Sequence, residues 1–140
     1  MRPLHPICLL FISLLSVAGL RAQTVLPVSN GQHARYDAMI QMADGYISGV
    51  CVLLREDGVV KGCLFNEFGI TALDFTYHPD KHKVKLHHVV PMLDKWYIRR
   101  VLRNDLVRFM EALHRGETVY QNTSRHITYQ MTPITHEITE

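Results

Sequence analysis

Apolar side chains recur every three or four residues from Ile98 to Leu113, and this helical period constrains the fold more than any other feature of the chain. Pro91 suits the first turn of a helix, and Gly116 follows the periodic run. The sequence therefore predicts one long amphipathic helix from Pro91 to His114. A helix with a single apolar side needs a second layer to cover that side.

The residues before this helix predict a layer of antiparallel strands. They form short β-rich runs separated by turn residues, and two further runs follow the helix. The predicted strands lie at residues 47–55, 59–65, 70–77, 83–90, 118–122 and 126–132. Near the start of this region, Tyr36, Met39, Ile40 and Ala43 have helical spacing and Gly45 follows them, which predicts a short N-terminal helix. In the fourth strand, Val84, Leu86, His88 and Val90 are expected on one face.

Together these elements predict a single α+β domain at residues 23–140. Its expected architecture is an antiparallel β-meander of about six strands, curved or half-barrel-like. The long amphipathic helix and the short N-terminal helix would cover this sheet.

Residues 1–22 have the pattern of a secretory signal peptide. Arg2 precedes an apolar run from Ile7 to Leu20 that is too short to span a bilayer comfortably, and a polar residue follows Ala22. We expect cleavage after Ala22 and export to the bacterial periplasm or outer membrane. A retained amphipathic anchor or a short buried helix is the alternative interpretation of the same residues.

Positive charge is concentrated in one part of the chain. The whole sequence has 15 Lys and Arg residues against 13 Asp and Glu residues. The stretch 81–108 contains Lys81, Lys83, Lys85, Lys95, Arg99, Arg100, Arg103 and Arg108 against Asp94 and Asp105. A basic surface is expected on the outer side of the long helix, at Arg99, Arg100, Arg103 and Arg108. Anionic lipid headgroups or an acidic protein suit this surface, whereas export argues against nucleic acid as a partner; simple solvation is the alternative.

Two clusters of reactive side chains allow alternative interpretations. We interpret residues 56–58 as a three-residue hairpin loop, which places Cys51 opposite Cys63 and makes a disulfide between them possible. Two small buried thiols are the alternative. His78, His82 and His87 lie close together in the sequence, with His88 beside them, and predict a zinc or copper site as an alternative function.

The sequence contains no motif of a known catalytic site. P-loop, G-x-G-x-x-G, H-E-x-x-H and G-x-S-x-G patterns are missing, and the acidic residues are scattered singly. We therefore predict a non-enzymatic binding protein without a cofactor.

Residues 49–110 resemble the core of the periplasmic lipoprotein carrier and outer-membrane lipoprotein receptor superfamily. The matching pieces are apolar or L-x-F/Y strands separated by turns, followed by a helix that contains Asp-Leu. They lie at residues 49–54, 59–65, 69–77, 84–90 and Asp105-Leu106. The resemblance implies a half-open curved sheet with a helix against its concave face, and an apolar groove that binds acyl chains or lipoproteins. The expected groove residues are Leu73, Phe75, Tyr77, Leu86 and Trp96. The alternative is a small secreted protein-binding or inhibitor-like module whose own helix fills the groove.

Overall fold

Residues 25–134 of the chain are described by a computed structural model, and they form seven strands and one long α-helix. The elements are β1 (His33–Met42), β2 (Gly45–Glu56), β3 (Val59–Phe65), β4 (Thr71–His78), β5 (Lys83–Val89), α1 (Trp96–His114), β6 (Val119–Asn122) and β7 (Ile127–Pro133). The predicted signal peptide lies outside the described residues.

The seven strands form one antiparallel sheet in the order β5-β4-β3-β2-β1-β7-β6. The sheet curls into a half-barrel, and α1 packs mainly against the two edge strands, β5 and β6. The predicted α+β meander covered by a long helix is confirmed. The expected count of about six strands is wrong, because the sheet has a seventh strand at the start of the chain.

This additional strand, β1, replaces the predicted N-terminal helix, which is wrong. Tyr36, Ala38 and Ile40 are buried while the residues between them are exposed, which is the two-residue period of a strand. β1 pairs with β2 along its whole length and with β7 from Tyr36 to Gln41. The helical spacing of the apolar residues here coincides with an alternating pattern, and pairing on both sides favours the strand.

The predicted hairpin of β2 and β3 is confirmed, but its turn is shorter than expected. Asp57 and Gly58 both have positive φ angles, 53° and 79°, as a two-residue type I′ turn requires. Glu56 pairs directly with Val59 across this turn. The expected three-residue loop is therefore wrong, and the register of the hairpin moves by one residue.

The corrected register separates the two cysteines. Cys51 is opposite Leu64, and Cys63 is opposite Val52. Because neighbouring positions of a strand point to opposite faces, the thiols lie on different faces of the sheet, and both are free. The prediction that Cys51 lies directly opposite Cys63 is therefore wrong, and with it the geometry that made a disulfide possible.

The pairing of β5 with β4 contains a β-bulge. The register shifts between Phe75, which pairs with Leu86, and Asp74, which pairs with His88. His87 is the additional residue of this bulge, so the alternation changes there. Val89 is buried and His88 is exposed, which corrects the expected inward position of His88.

The long helix is confirmed, although it begins at Trp96 instead of Pro91. Pro91 begins a short 3-10 turn that ends at Leu93 and places this leucine in the core. The core lies between the inner face of the sheet and α1. Its largest side chains include Tyr36, Leu53, Leu73, Phe75, Leu102, Leu106, Phe109, Met110 and Tyr129.

Candidate functional site

Four of the five side chains expected to line an acyl-chain groove are buried in the core. Leu73, Phe75, Tyr77 and Leu86 are all buried beneath α1. The cavity between the sheet and the helix has a volume of about 10 Å³, which has room for one water molecule at most. The fifth expected residue, Trp96, is not near this cavity, and its side chain is 74% exposed at the start of α1.

One carboxylate is buried in this core. Asp105 is 3% exposed, and its Oδ2 atom accepts a hydrogen bond of 2.6 Å from the Tyr129 hydroxyl. Asn122 Nδ2 donates to both carboxylate oxygens, at 2.9 and 3.0 Å. Burial, together with the hydrogen bond to Asp105, raises the pKa of Tyr129 far above its ordinary value. This cluster joins α1 to β6 and β7; Asp105 and Tyr129 are buried, and Asn122 is half-buried.

The Asp105 cluster was missed by sequence reasoning, although a signal for it exists. Asp105 is three residues after Leu102 and four residues before Phe109, so it falls on the apolar stripe of the helix. A carboxylate at such a position is buried and must find hydrogen-bond donors.

The predicted metal ligands do not converge. His82 Nδ1 lies 2.9 Å from Glu111 Oε2, and His87 Nε2 lies 2.8 Å from the Thr76 hydroxyl. His78 is half-buried at the end of β4. Within residues 25–134, no group of three His, Cys, Asp or Glu side chains is arranged to bind a metal ion.

A basic cleft lies between the edge strand β5 and α1. It is open to solvent and has a volume of about 400 Å³. The residues of this basic cleft are His78, Lys81, Lys83, Val84, Lys85, Leu86 and Arg103. Four of the side chains are Lys or Arg and none is a carboxylate, so the cleft suits an anionic group.

The arginines expected on the basic side of α1 differ in their exposure and in their ion pairing. Arg99 is half-buried, and its Nη1 donates to Asp94 Oδ1 at 2.9 Å. Arg100, Arg103 and Arg108 are exposed. Arg100 and Arg103 follow Trp96 at helical spacing and lie on the same side of α1. Positive charge that is free to interact therefore begins next to the exposed tryptophan.

A second exposed surface consists of apolar side chains at one end of the sheet. We call this surface the apolar end; its residues are Phe68, Ile70, Met92, Trp96 and Tyr97. Each side chain is more than half exposed, and Phe68 reaches 78%. The rings of Trp96 and Tyr97 pack edge to face with their centroids 5.7 Å apart. Such a group of exposed large apolar side chains is typical of an interaction surface.

Backbone pairing places the two segments of the apolar end together. Phe65 pairs with Thr71, so the turn between β3 and β4 lies where β4 begins. The Val90 N–H donates to the Ala72 carbonyl at 3.0 Å, so the segment leading into α1 lies at this same end. Asn66 Oδ1 accepts hydrogen bonds from the N–H groups of residues 68 and 70, at 2.9 and 3.0 Å. The turn is therefore ordered with its apolar side chains facing solvent.

Comparison of the chain with known protein families, with curated proteins and with solved structures finds no match. The resemblance to the lipoprotein carriers and receptors thus stays a prediction. Among the described residues, no helix combines the length and the hydropathy needed to cross a bilayer.

Proposed function

We propose that this chain is an exported, non-enzymatic protein of the bacterial cell envelope that attaches to anionic membrane surfaces through its apolar end. The observation that carries this proposal is the position of five exposed apolar side chains beside free arginines of α1. Lipid, or the lipid-bearing part of a lipoprotein, is the partner that suits both properties. The predicted signal peptide supports the envelope location.

The composition of the apolar end supports an interfacial position. Trp and Tyr combine an apolar ring with a polar group and are enriched where a membrane meets water. Complete burial of a Phe, Ile or Met side chain contributes about 1.5–3 kcal/mol. Partial insertion of Phe68, Ile70 and Met92 would therefore stabilise attachment by several kcal/mol.

The nearby charges favour anionic headgroups. Lys95 and Arg100 are exposed and close to Trp96 in the helix, and each contributes about 1 kcal/mol near an anionic bilayer. Arg99 is already paired with Asp94, and Glu67 in the β3–β4 turn opposes binding. The net attraction is modest, so attachment should weaken as salt increases.

The packed interior supports binding at the surface instead of transport of an acyl chain inside the sheet. A cavity of about 10 Å³ has no space for a hydrocarbon chain. The core residues Leu73, Phe75 and Tyr77 therefore stabilise the fold, and lipid would be bound from outside.

Fluorescence of the single tryptophan gives a direct test. Trp96 is the only tryptophan in the sequence and belongs to the apolar end. We expect its emission to shift to shorter wavelength when the purified exported protein is mixed with vesicles of 30% phosphatidylglycerol in phosphatidylcholine. Vesicles of pure phosphatidylcholine should produce a much smaller shift. Co-sedimentation with the same vesicles measures the affinity.

Substitutions separate the contributions to binding. Phe68→Ser with Ile70→Ser should weaken vesicle affinity at least tenfold, and Lys95→Glu with Arg100→Glu should remove the preference for anionic vesicles. Val119→Ser removes an exposed valine of β6 and is the matched control. The proposal is wrong if the wild-type protein ignores vesicles at low salt. It is also wrong if the apolar end instead joins two copies into a dimer that Phe68→Ser with Ile70→Ser dissociates.

A further inference from the structure

We infer that the basic cleft binds an extended acidic peptide, which adds to the sheet as a new strand beside β5. This inference does not depend on membrane attachment, because the basic cleft and the apolar end are different surfaces. It rests on the course of the cleft, the free backbone of β5 and the charge of the cleft walls.

The cleft follows the edge of a strand. Four consecutive residues, Lys83, Val84, Lys85 and Leu86, all line it. Successive side chains of a strand point to opposite faces of the sheet, so a pocket on one face would touch only alternate residues. A cleft that touches all four runs along the free edge of β5. Arg103 of α1 forms its opposite wall.

The backbone of this edge is available for pairing. β5 is the last strand of the sheet and pairs with β4 alone. Within the part of the chain that the structure describes, no strand lies on its other side, so alternate N–H and C=O groups face the cleft. Pairing with β4 is regular from Lys83 to Leu86, before the bulge at His87. The other edge strand, β6, has only four residues.

The charge of the cleft selects the peptide. Lys83 and Lys85 are exposed on one face of β5. Lys81 lies at the end of the cleft where β5 begins, and Arg103 of α1 forms the opposite wall. A peptide strand with acidic residues at alternate positions would place their carboxylates opposite Lys83 and Lys85. Glu111 of α1 is paired with His82. Asp105 of α1 is buried and hydrogen-bonded to Tyr129.

The same charges argue against a second copy of this chain as the occupant. Pairing of two β5 strands would bring lysines of one copy against lysines of the other, and such like-charge pairs are unfavourable. Lysines on an edge strand are a common protection against self-association. The lysines of β5 therefore disfavour pairing with β5 of a second copy and favour pairing with an acidic peptide strand.

Peptide binding tests this inference on the wild-type protein. The probe is an acetylated and amidated eight-residue peptide of alternating Glu and Thr, titrated by calorimetry and by backbone amide NMR shifts. We expect binding, with shifts concentrated at residues 83–86 and 103. A second peptide has the same side chains, but its backbone nitrogens are methylated at alternate residues. These are the residues whose N–H groups would point toward the edge of β5. It should bind at least tenfold more weakly, because it cannot donate those backbone hydrogen bonds.

Charge variants and a competitor complete the test. Lys83→Glu with Lys85→Glu should weaken the first peptide at least tenfold, whereas Arg125→Glu, an exposed site in the β6–β7 turn, should leave its affinity unchanged. Equal affinity for the N-methylated peptide, displacement by millimolar inorganic phosphate, or shifts outside the basic cleft would overturn strand addition. None of these three results would affect attachment to vesicles, so the two proposals fail separately.

Discussion

At the scale of single residues, Asp105 connects the middle of α1 to the end of the sheet. Its buried carboxylate accepts hydrogen bonds from Tyr129 and from the half-buried Asn122. Hydrogen bonds to a charged acceptor contribute more than those between neutral groups. The position of α1 over the half-barrel therefore depends on polar contacts as well as on apolar packing.

Tyr129→Phe should lower the free energy of unfolding by about 1.5–3 kcal/mol, because it removes the 2.6 Å hydrogen bond and leaves the buried carboxylate with Asn122 as its partner. Urea unfolding followed by circular dichroism measures the change. Tyr120→Phe is the matched control: its ring centroid lies 6.0 Å from that of Tyr129, and its hydroxyl makes no hydrogen bond among the described residues. A loss below about 0.5 kcal/mol for Tyr129→Phe, equal to that of the control, would show that the hydrogen bond is not important.

Cys51 and Cys63 should differ strongly in the reactivity of their thiols. Burial, more than the neighbouring Cys63, raises the pKa of the Cys51 thiol to about 12, so its reactive thiolate is rare at pH 8. Cys63 is only half-buried, and burial raises its pKa as well. In folded protein prepared without residues 1–22, a thiol reagent such as Ellman's reagent should label Cys63, and it should label Cys51 only in urea. Peptide mass spectrometry locates the label.

The Cys63→Ser variant provides the control for this labelling experiment. Prepared without residues 1–22, it should remain unlabelled until urea is added, since the buried thiol of Cys51 is then its only cysteine. Equal labelling rates of both cysteines in the wild type would contradict the burial of Cys51. A wild-type mass lower by about two hydrogens would reveal a disulfide between Cys51 and Cys63. It would require the hairpin register predicted from the sequence, in which the two cysteines are opposite each other.

At the scale of elements, the accuracy of sequence reasoning depended on whether a pattern had one interpretation. The period of α1 extends over many residues and fits no strand, so the helix could be predicted. The apolar residues of β1 fit both periods over a short span, and only pairing with β2 and β7 decides between them. The hairpin loop was predicted one residue too long, because Asp57 adopts a positive φ that glycine usually supplies.

The candidate surfaces were predictable only in part. The excess of Lys and Arg between residues 81 and 108 predicted a basic region, and Arg103 and Lys83 do meet in one cleft. Their meeting depends on the place of β5 at the sheet edge, which strand order decides and local sequence does not. Trp96 was expected in the groove that the family resemblance implied, but the 3-10 turn before α1 directs the chain so that Leu93 is buried and Trp96 is exposed.

One glycine tests how closely adjacent strands pack with the core. A Cβ atom at Gly62 of β3 would clash with the ring of Phe75, which is buried on the neighbouring strand β4. Gly62→Ala should therefore lower the free energy of unfolding by about 1–3 kcal/mol through overpacking. Urea unfolding measures this change.

The smaller side chain of Phe75→Leu should relieve the clash. The double variant with Gly62→Ala should be more stable than the sum of the two single changes predicts, by about 1 kcal/mol. Strict additivity would indicate that the ring moves aside without cost. Lys61→Ala, an exposed change on the same strand, should leave the free energy of unfolding nearly unchanged.

At the scale of the whole molecule, the beginning of the described chain is joined to the end of α1. The Val25 N–H donates to the Leu113 carbonyl at 2.9 Å, and the Tyr36 hydroxyl donates to the Val25 carbonyl at 2.6 Å. β1 also lies between β2 and β7 and thus connects the central meander to the C-terminal strands. Part of the global stability therefore depends on protonated hydroxyl groups in the interior.

These buried groups predict that stability falls at alkaline pH. Burial, ahead of all other causes, raises the pKa of Tyr36, Cys51 and Tyr129 in the folded protein. The unfolded chain loses these protons near the ordinary values of 9.0 for Cys and 10.0 for Tyr, whereas the folded protein retains them. The unfolded state then binds fewer protons, so the free energy of unfolding must decrease as pH rises. Below about pH 8.5 this contribution is fully present.

Urea unfolding between pH 7.5 and pH 11 should reveal this decrease, with each group adding a slope of up to about 1.4 kcal/mol per pH unit above its unfolded pKa. Tyr36→Phe loses the bond to Val25 and is less stable at pH 7.5, but its slope above pH 10 should be shallower by one group. Tyrosinate absorbance provides an independent check. Of the six tyrosines, Tyr36 and Tyr129 should ionise only when the protein unfolds. If all six titrate together near pH 10 in the folded protein, these hydroxyls are accessible to solvent, and the proposed connection of β1, β7 and α1 through a closed core is wrong.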